Sequence, residues 1–126
     1  MIEIFKQKSE QLFNQVTNDE RWDINNQTLF NVFALSYYGY NFGVGNLLCF
    51  LDPTEINSFV QHKLIKLGAG EKYVSGLIDF AYGTFLQPAE GINAQLVGIG
   101  HSHFSAEDIT ELANAIFNNA ESIQQA

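Results

Sequence analysis

A long stretch without a single charged side chain, from Leu29 to Leu51, dominates this sequence. It has the length of a membrane-spanning helix, which needs about 20 residues. The stretch also contains three asparagines, three tyrosines and three glycines, and carboxamides without partners are costly in a bilayer. Its flanks lack the clustered Lys and Arg that anchor a membrane helix. We therefore predict that it forms a buried core hairpin and does not enter a membrane.

Apolar residues recur at the three- and four-residue spacing of amphipathic helices through most of the chain. Two capping signals define helix starts: Asp52 precedes a proline at the first helical position, and Ser105 precedes two acids. Gly68 is predicted to end the first of these helices. The predicted helices span residues 2–16, 28–38, 53–67, 71–86 and 106–124. Residues 90–100 fit either a short helix or an extended segment, and the short helix is favoured.

The helical spacing predicts an all-α fold, and the length predicts a compact single-domain bundle of about five to seven helices over residues 1–126. With 126 residues, 46% of them hydrophobic, the chain can bury a core of its own. Trp22 and Ile24 are expected to pack into that core from a loop. Gly39 and its neighbouring glycines are expected either to turn the chain or to admit another backbone.

The charge is strongly negative, with 14 acidic and 6 basic residues and a net charge of −8. Such a balance disfavours direct binding to nucleic acid or to an anionic membrane. The imbalance is concentrated in residues 73–126, which contain six acids and no Lys or Arg. A solubilising surface is one interpretation of this segment, and a binding surface for a basic partner is the other.

The cysteine usage and the N-terminus favour the cytoplasm. Cys49 is the only cysteine, so no internal disulfide can form, and its apolar neighbours predict a buried thiol. The first residues alternate charged and apolar side chains and do not resemble a secretory signal.

The candidate chemistry is limited to Gly100-His101-Ser102-His103-Phe104. This segment begins like the G-x-S-x-G turn of serine hydrolases, but Phe104 stands in place of the second glycine, and we predict a loop leading into a capped helix. His101 and His103 could bind a metal with Glu107 or Asp108, yet no further pair of ligands is apparent. We predict no catalytic residue, no metal and no cofactor.

The acidic, helical profile without catalytic motifs resembles that of the immunity proteins of contact-dependent growth inhibition and related bacterial toxin systems. The resemblance implies a cytosolic inhibitor that binds a cognate basic toxin domain, commonly a nuclease, and covers its active site. From the charge distribution we predict that the partner-binding residues are the six acids of the base-free segment: Asp79, Glu90, Glu107, Asp108, Glu111 and Glu121.

Other functions stay open at this point. One is a different helical interaction protein, such as a phage-encoded decoy of nucleic acid or a subunit of an assembly. Another is a small-ligand or metal binder that uses an aromatic pocket between helices or the His101/His103 pair. An enzyme is the least favoured, because no nucleophile, base and oxyanion donor can be brought together from the sequence.

Overall fold

The computed structural model describes all 126 residues, and its central element is helix α2, Gln27–Phe42. Every residue from Val32 to Phe42 is buried. A helix that is apolar on all sides can be covered by protein on all sides, and α2 packs against each of the other five α-helices. The predicted burial of the uncharged stretch is therefore confirmed for residues 32–45, whereas Leu47 and Phe50 near its end are exposed.

Five α-helices surround α2. They are α1 (Ile2–Thr17), α3 (Pro53–Lys66), α4 (Glu71–Leu86), α5 (Ile92–Ser102) and α6 (Thr110–Gln125). The predicted all-α bundle is confirmed, as is the short helix predicted within 90–100. None of these helices combines the length and the apolarity needed to cross a bilayer.

The closest helix pair is α2 with α5, which run parallel to each other. A Cβ atom added to Gly39 would lie 2.0 Å from the carbonyl oxygen of Val97, and one added to Gly100 would lie 1.8 Å from that of Ser36. Glycine in both helices therefore lets the two backbones touch. Of the two expectations for Gly39, a turn or the close approach of another backbone, the second is correct.

The end of the uncharged stretch does not form the predicted hairpin. The chain continues from α2 into a π-helix, Gly43–Leu48, in which the Cys49 N–H donates to the Val44 carbonyl at 3.1 Å. A Cβ atom added to Gly43 would lie 2.4 Å from the Phe104 Cβ, so this glycine makes room for the Phe104 side chain inside the continuing helix. The direction changes only at Phe50, which adopts a left-handed φ of 56° and is 82% exposed. Cys49 is buried, as predicted.

Of the two predicted capping signals, one is correct and one is wrong. The Asp52 carboxylate accepts the Thr54 N–H at 2.9 Å, and α3 begins at Pro53. Helix α6 begins at Thr110 and not at residue 106. The N-cap residue is Ile109, which provides no side-chain hydrogen bond, and the carboxylate of Asp108 just before it accepts the Thr110 N–H at 2.9 Å.

The core is one cluster of 30 buried hydrophobic residues. Trp22 packs against it as predicted, with its ring 5.3 Å from that of Phe33 in an edge-on arrangement. The prediction for Ile24 is wrong, since this side chain is 45% exposed. Asp23 accepts the Asn25 N–H at 2.9 Å, and this tight turn around Ile24 directs its side chain away from the core.

Candidate functional site

The six acids predicted to bind a partner, here called the acidic surface, are all exposed. Glu107 and Asp108 lie in the α5–α6 connection, and Glu111 lies in the first turn of α6. The structure therefore brings these three together. The other three are apart: Asp79 on α4, Glu90 in the α4–α5 connection and Glu121 in the second half of α6.

The carboxylates of the acidic surface have no Lys or Arg partner within this chain. Two of the six Lys and Arg side chains form ion pairs, both with acids of the first half: Arg21 with Asp19 and Lys63 with Glu10. Within the acidic surface only Glu111 approaches a base, with its Oε1 at 4.0 Å from His103 Nε2. These six carboxylates thus lie at the surface without an ion pair to Lys or Arg.

Asp108 has a second role besides its charge. Hydrogen bonding by Thr110 lowers the pKa of the Asp108 carboxyl below its ordinary value, because the hydrogen bonds stabilise the ionised form. The side chain is therefore ionised at neutral pH and fixed in direction. A fixed carboxylate loses less conformational freedom when a partner binds than a freely rotating one does.

Arg21 is a residue that the sequence prediction missed. It extends from the α1–α2 connection onto α6, where its guanidinium lies 4.2 Å from the centre of the Phe117 ring and donates to Asn114 at 2.9 Å. It also pairs with Asp19, and this lowers the pKa of Asp19 to about 2. Arg21 places a positive charge on α6 between Glu111 and Glu121. The helix has no Lys or Arg of its own, but a base from another segment lies on its surface.

The charge pattern along the chain gave no sign of this contact, because Arg21 and α6 are distant in sequence. The only local signal is Asp19, whose spacing allows its carboxylate to accept both the backbone and the side-chain N–H of Arg21. That signal fixes the orientation of the guanidinium but does not identify Asn114 or Phe117 as its neighbours.

Residues 100–102 of the histidine segment end α5, and His103 and Phe104 lie in the turn that follows, so the predicted loop is wrong for the first three residues. His101 lies between the rings of Phe85, at 4.9 Å, and Phe104, at 5.7 Å, and burial lowers the pKa of His101. His103 Nδ1 lies 2.9 Å from the carbonyl of Ile99. This helix end packs aromatic rings onto the core, and the segment forms no strand-to-helix turn that could expose a nucleophile.

The Ser102 hydroxyl donates to the Ile99 carbonyl at 2.8 Å, a bond within its own helix. The chain has no group of three or more His, Cys, Asp and Glu side chains positioned to hold a metal ion. His62, the third histidine, is exposed on α3. The hydrogen bonds of Ser102 and His103 are both made with the Ile99 carbonyl of α5.

No protein-family model, curated protein or solved structure matches this chain. The candidate site is therefore defined by the geometry of the chain's own residues. Among the predicted residues, Glu107, Asp108 and Glu111 form its centre, because they are adjacent, exposed and without a Lys or Arg partner.

Proposed function

We propose that this chain is an inhibitor that binds a basic protein domain, as the immunity proteins of bacterial toxin systems do. The observation that carries the proposal is that the six acids of residues 73–126 are exposed and make no ion pair with Lys or Arg. Apart from the hydrogen bond of Asp108 at the start of α6, these carboxylates make few contacts within the chain. Attraction by these carboxylates would speed the association of a basic partner and would orient it for binding.

The proposed contact centres on Glu107, Asp108 and Glu111, at the start of α6. Three carboxylates on a connection and the first turn of a helix can accept hydrogen bonds from Arg and Lys side chains of a partner. A nuclease is the favoured partner class, because its substrate-binding surface is itself basic. By covering that surface, the chain would exclude the substrate.

The proposal puts the inhibitor in the cytoplasm, where a buried unpaired cysteine such as Cys49 is stable. Direct binding of nucleic acid is not part of it, because the net charge of −8 repels phosphates. Asp79, Glu90 and Glu121 would contribute at the periphery of the contact or through long-range attraction, since they lie apart from the central three.

The test begins with affinity capture from a lysate of the native host, at low and at raised salt, with bound proteins identified by mass spectrometry. A single basic protein should be retained and should bind less at raised salt, because screening weakens interactions between charged surfaces. The captured protein is then purified, its dissociation constant is measured, and host growth is followed when it is expressed with and without this chain.

The site is tested with the triple variant Glu107→Lys, Asp108→Lys and Glu111→Lys. It should weaken binding by about tenfold or more and reduce the salt dependence, since charge pairs across an interface become repulsive. Unchanged affinity and salt dependence would show that the site assignment is wrong. A captured partner that is not basic, or that leaves growth unaffected, would contradict the inhibitor function itself.

A matched control exists in the first half of the chain: Glu20→Lys, Asp23→Lys and Glu71→Lys. Two of these acids lie in a connection and one in the first turn of a helix. Asp23 accepts the backbone N–H of Asn25 at 2.9 Å, as Asp108 does for Thr110. Both triple variants have the same net charge, so only a site-specific effect can separate their affinities.

A further inference from the structure

A pocket of about 610 Å³ opens where helices α2, α4 and α5 begin and α6 ends. Its volume falls within the range of small-molecule binding sites, which is roughly 300–1,000 Å³. The lining includes large apolar side chains that the fold leaves uncovered: Ile24 is 45% exposed, Tyr73 47% and Ile92 53%. These side chains would lose contact with water if a ligand with an apolar part occupied the pocket.

Three polar side chains in the pocket wall are joined by hydrogen bonds. Tyr73 donates its hydroxyl hydrogen to Asn31 at 3.0 Å, and Asn31 donates its amide to the oxygen of Asn93 at 3.3 Å. The amide nitrogen of Asn93 has no acceptor within the chain. An Asn carboxamide carries two N–H donors, so Asn93, an exposed residue of the pocket lining, has donors available for a ligand.

The pocket lining contains no Asp, Glu, Lys, Arg or His. A charged ligand would therefore lose water without gaining an ionic partner, and this is costly. Burial also raises the pKa of Tyr73, so its phenol keeps its proton at neutral pH. The pocket is thus uncharged within a chain of net charge −8, which separates it chemically from the acidic surface.

We propose that this pocket binds an uncharged small molecule that has an apolar ring or chain and a carbonyl oxygen. The apolar part would pack against Ile24, Phe30 and Ile92, and the carbonyl oxygen would accept a hydrogen bond from the Asn93 amide. This inference is independent of the proposed inhibitor function, because none of the six acids lines the pocket.

The experiment uses three probes of similar size on the full chain labelled with ¹⁵N. N-methylbenzamide has a ring and a carbonyl, benzoate has a ring and a charge, and toluene has a ring alone. In NMR titrations N-methylbenzamide should give saturable shifts at the Asn93 side-chain amide and at backbone amides of the pocket. Its affinity should exceed that of benzoate by about tenfold or more, since benzoate would bury an unpaired charge.

The variant Asn93→Leu tests the hydrogen bond while keeping the side-chain size. It should lower the affinity for N-methylbenzamide about tenfold, a typical effect of losing one hydrogen bond, and bind toluene at least as tightly as the original chain. The control Asn118→Ala, at an exposed asparagine of α6 outside the pocket, should change neither affinity.

Three results would overturn the proposal. One is the absence of saturable shifts at the pocket with N-methylbenzamide. Another is equal affinity for benzoate and N-methylbenzamide. The third is self-association of the chain, seen by sedimentation, through the face that contains Ile24, Tyr73 and Ile92. A second copy of the chain would then occupy the pocket. Asn93 is exposed, so its replacement should leave the thermal unfolding temperature of the chain nearly unchanged, and the NMR spectrum reports directly on folding.

Discussion

Gly100→Ala should destabilise the chain, whereas Gly98→Ala, two residues earlier in the same helix, should stabilise it. The new methyl group at Gly100 would lie 1.8 Å from the carbonyl oxygen of Ser36, and nothing lies within 4 Å of the corresponding position at Gly98. To relieve the clash, α5 and α2 would have to separate by about 1 Å, and close-packed interiors resist such a shift.

The size of the effect follows from two opposing terms. Alanine is favoured over glycine inside a helix by about 0.8–1.0 kcal/mol, and this gain applies to both variants. Overpacking costs about 1–3 kcal/mol or more and applies only to Gly100→Ala. The contact is between two backbones, which cannot rotate away, so we place Gly100→Ala at the upper end of that range and expect a net loss of about 2 kcal/mol.

Urea unfolding followed by circular dichroism measures both variants. A loss of about 2 kcal/mol corresponds to a fall of roughly 1 M in the urea midpoint, whereas Gly98→Ala should raise the midpoint. If Gly100→Ala proved as stable as Gly98→Ala, the argument that glycine holds the α2–α5 contact would be refuted.

Two further predictions concern buried polar groups. Tyr37→Phe should cost about 1–3 kcal/mol in urea unfolding, because Ser9 would lose its partner at 2.5 Å in the core. Tyr40→Phe, at a phenol without a hydrogen bond in the chain, should cost much less. His101 has a lowered pKa in the folded state, so stability should fall as the pH drops below about 6.5. This fall in stability should be smaller in His101→Phe. An equal fall in the variant and the original chain would show that His101 does not cause it.

Local chemistry was enough to predict several elements of the fold. Helix α4 spans residues 71–86 as predicted, because its apolar spacing is regular and Pro88 prevents its continuation. The carboxylate of Asp52 and the ring of Pro53 similarly fix the start of α3. In both cases the determining residues are neighbours in the sequence.

The errors arose where distant residues decide the structure. Glycine is common at the ends of helices, but Gly43 lies inside a continuing helix, where it packs against Phe104. The N-cap residue of α6 is Ile109, and no side chain caps this helix. A rule that looks for a capping side chain therefore placed the start of α6 too early, at Ser105.

The candidate site shows the same division. The exposure of Glu111 and Glu121 follows from the apolar stripe on the opposite side of α6. The position of Arg21 between these two acids could not be predicted in this way. A count of charges along the chain does not show which distant segments come into contact. The Asn31–Tyr73–Asn93 network was equally inaccessible, because its members come from three helices.

The position of α2 has a consequence for how the molecule opens. Every other α-helix rests on it, so no half of the chain has a core of its own and a subglobular unit cannot detach with its packing intact. When an outer helix frays, it exposes only the part of the α2 surface that it covered. Exposure of the α2 backbone amides requires loss of all the surrounding packing. Hydrogen exchange at α2 therefore reports the global free energy of unfolding, and the outer helices exchange through smaller openings.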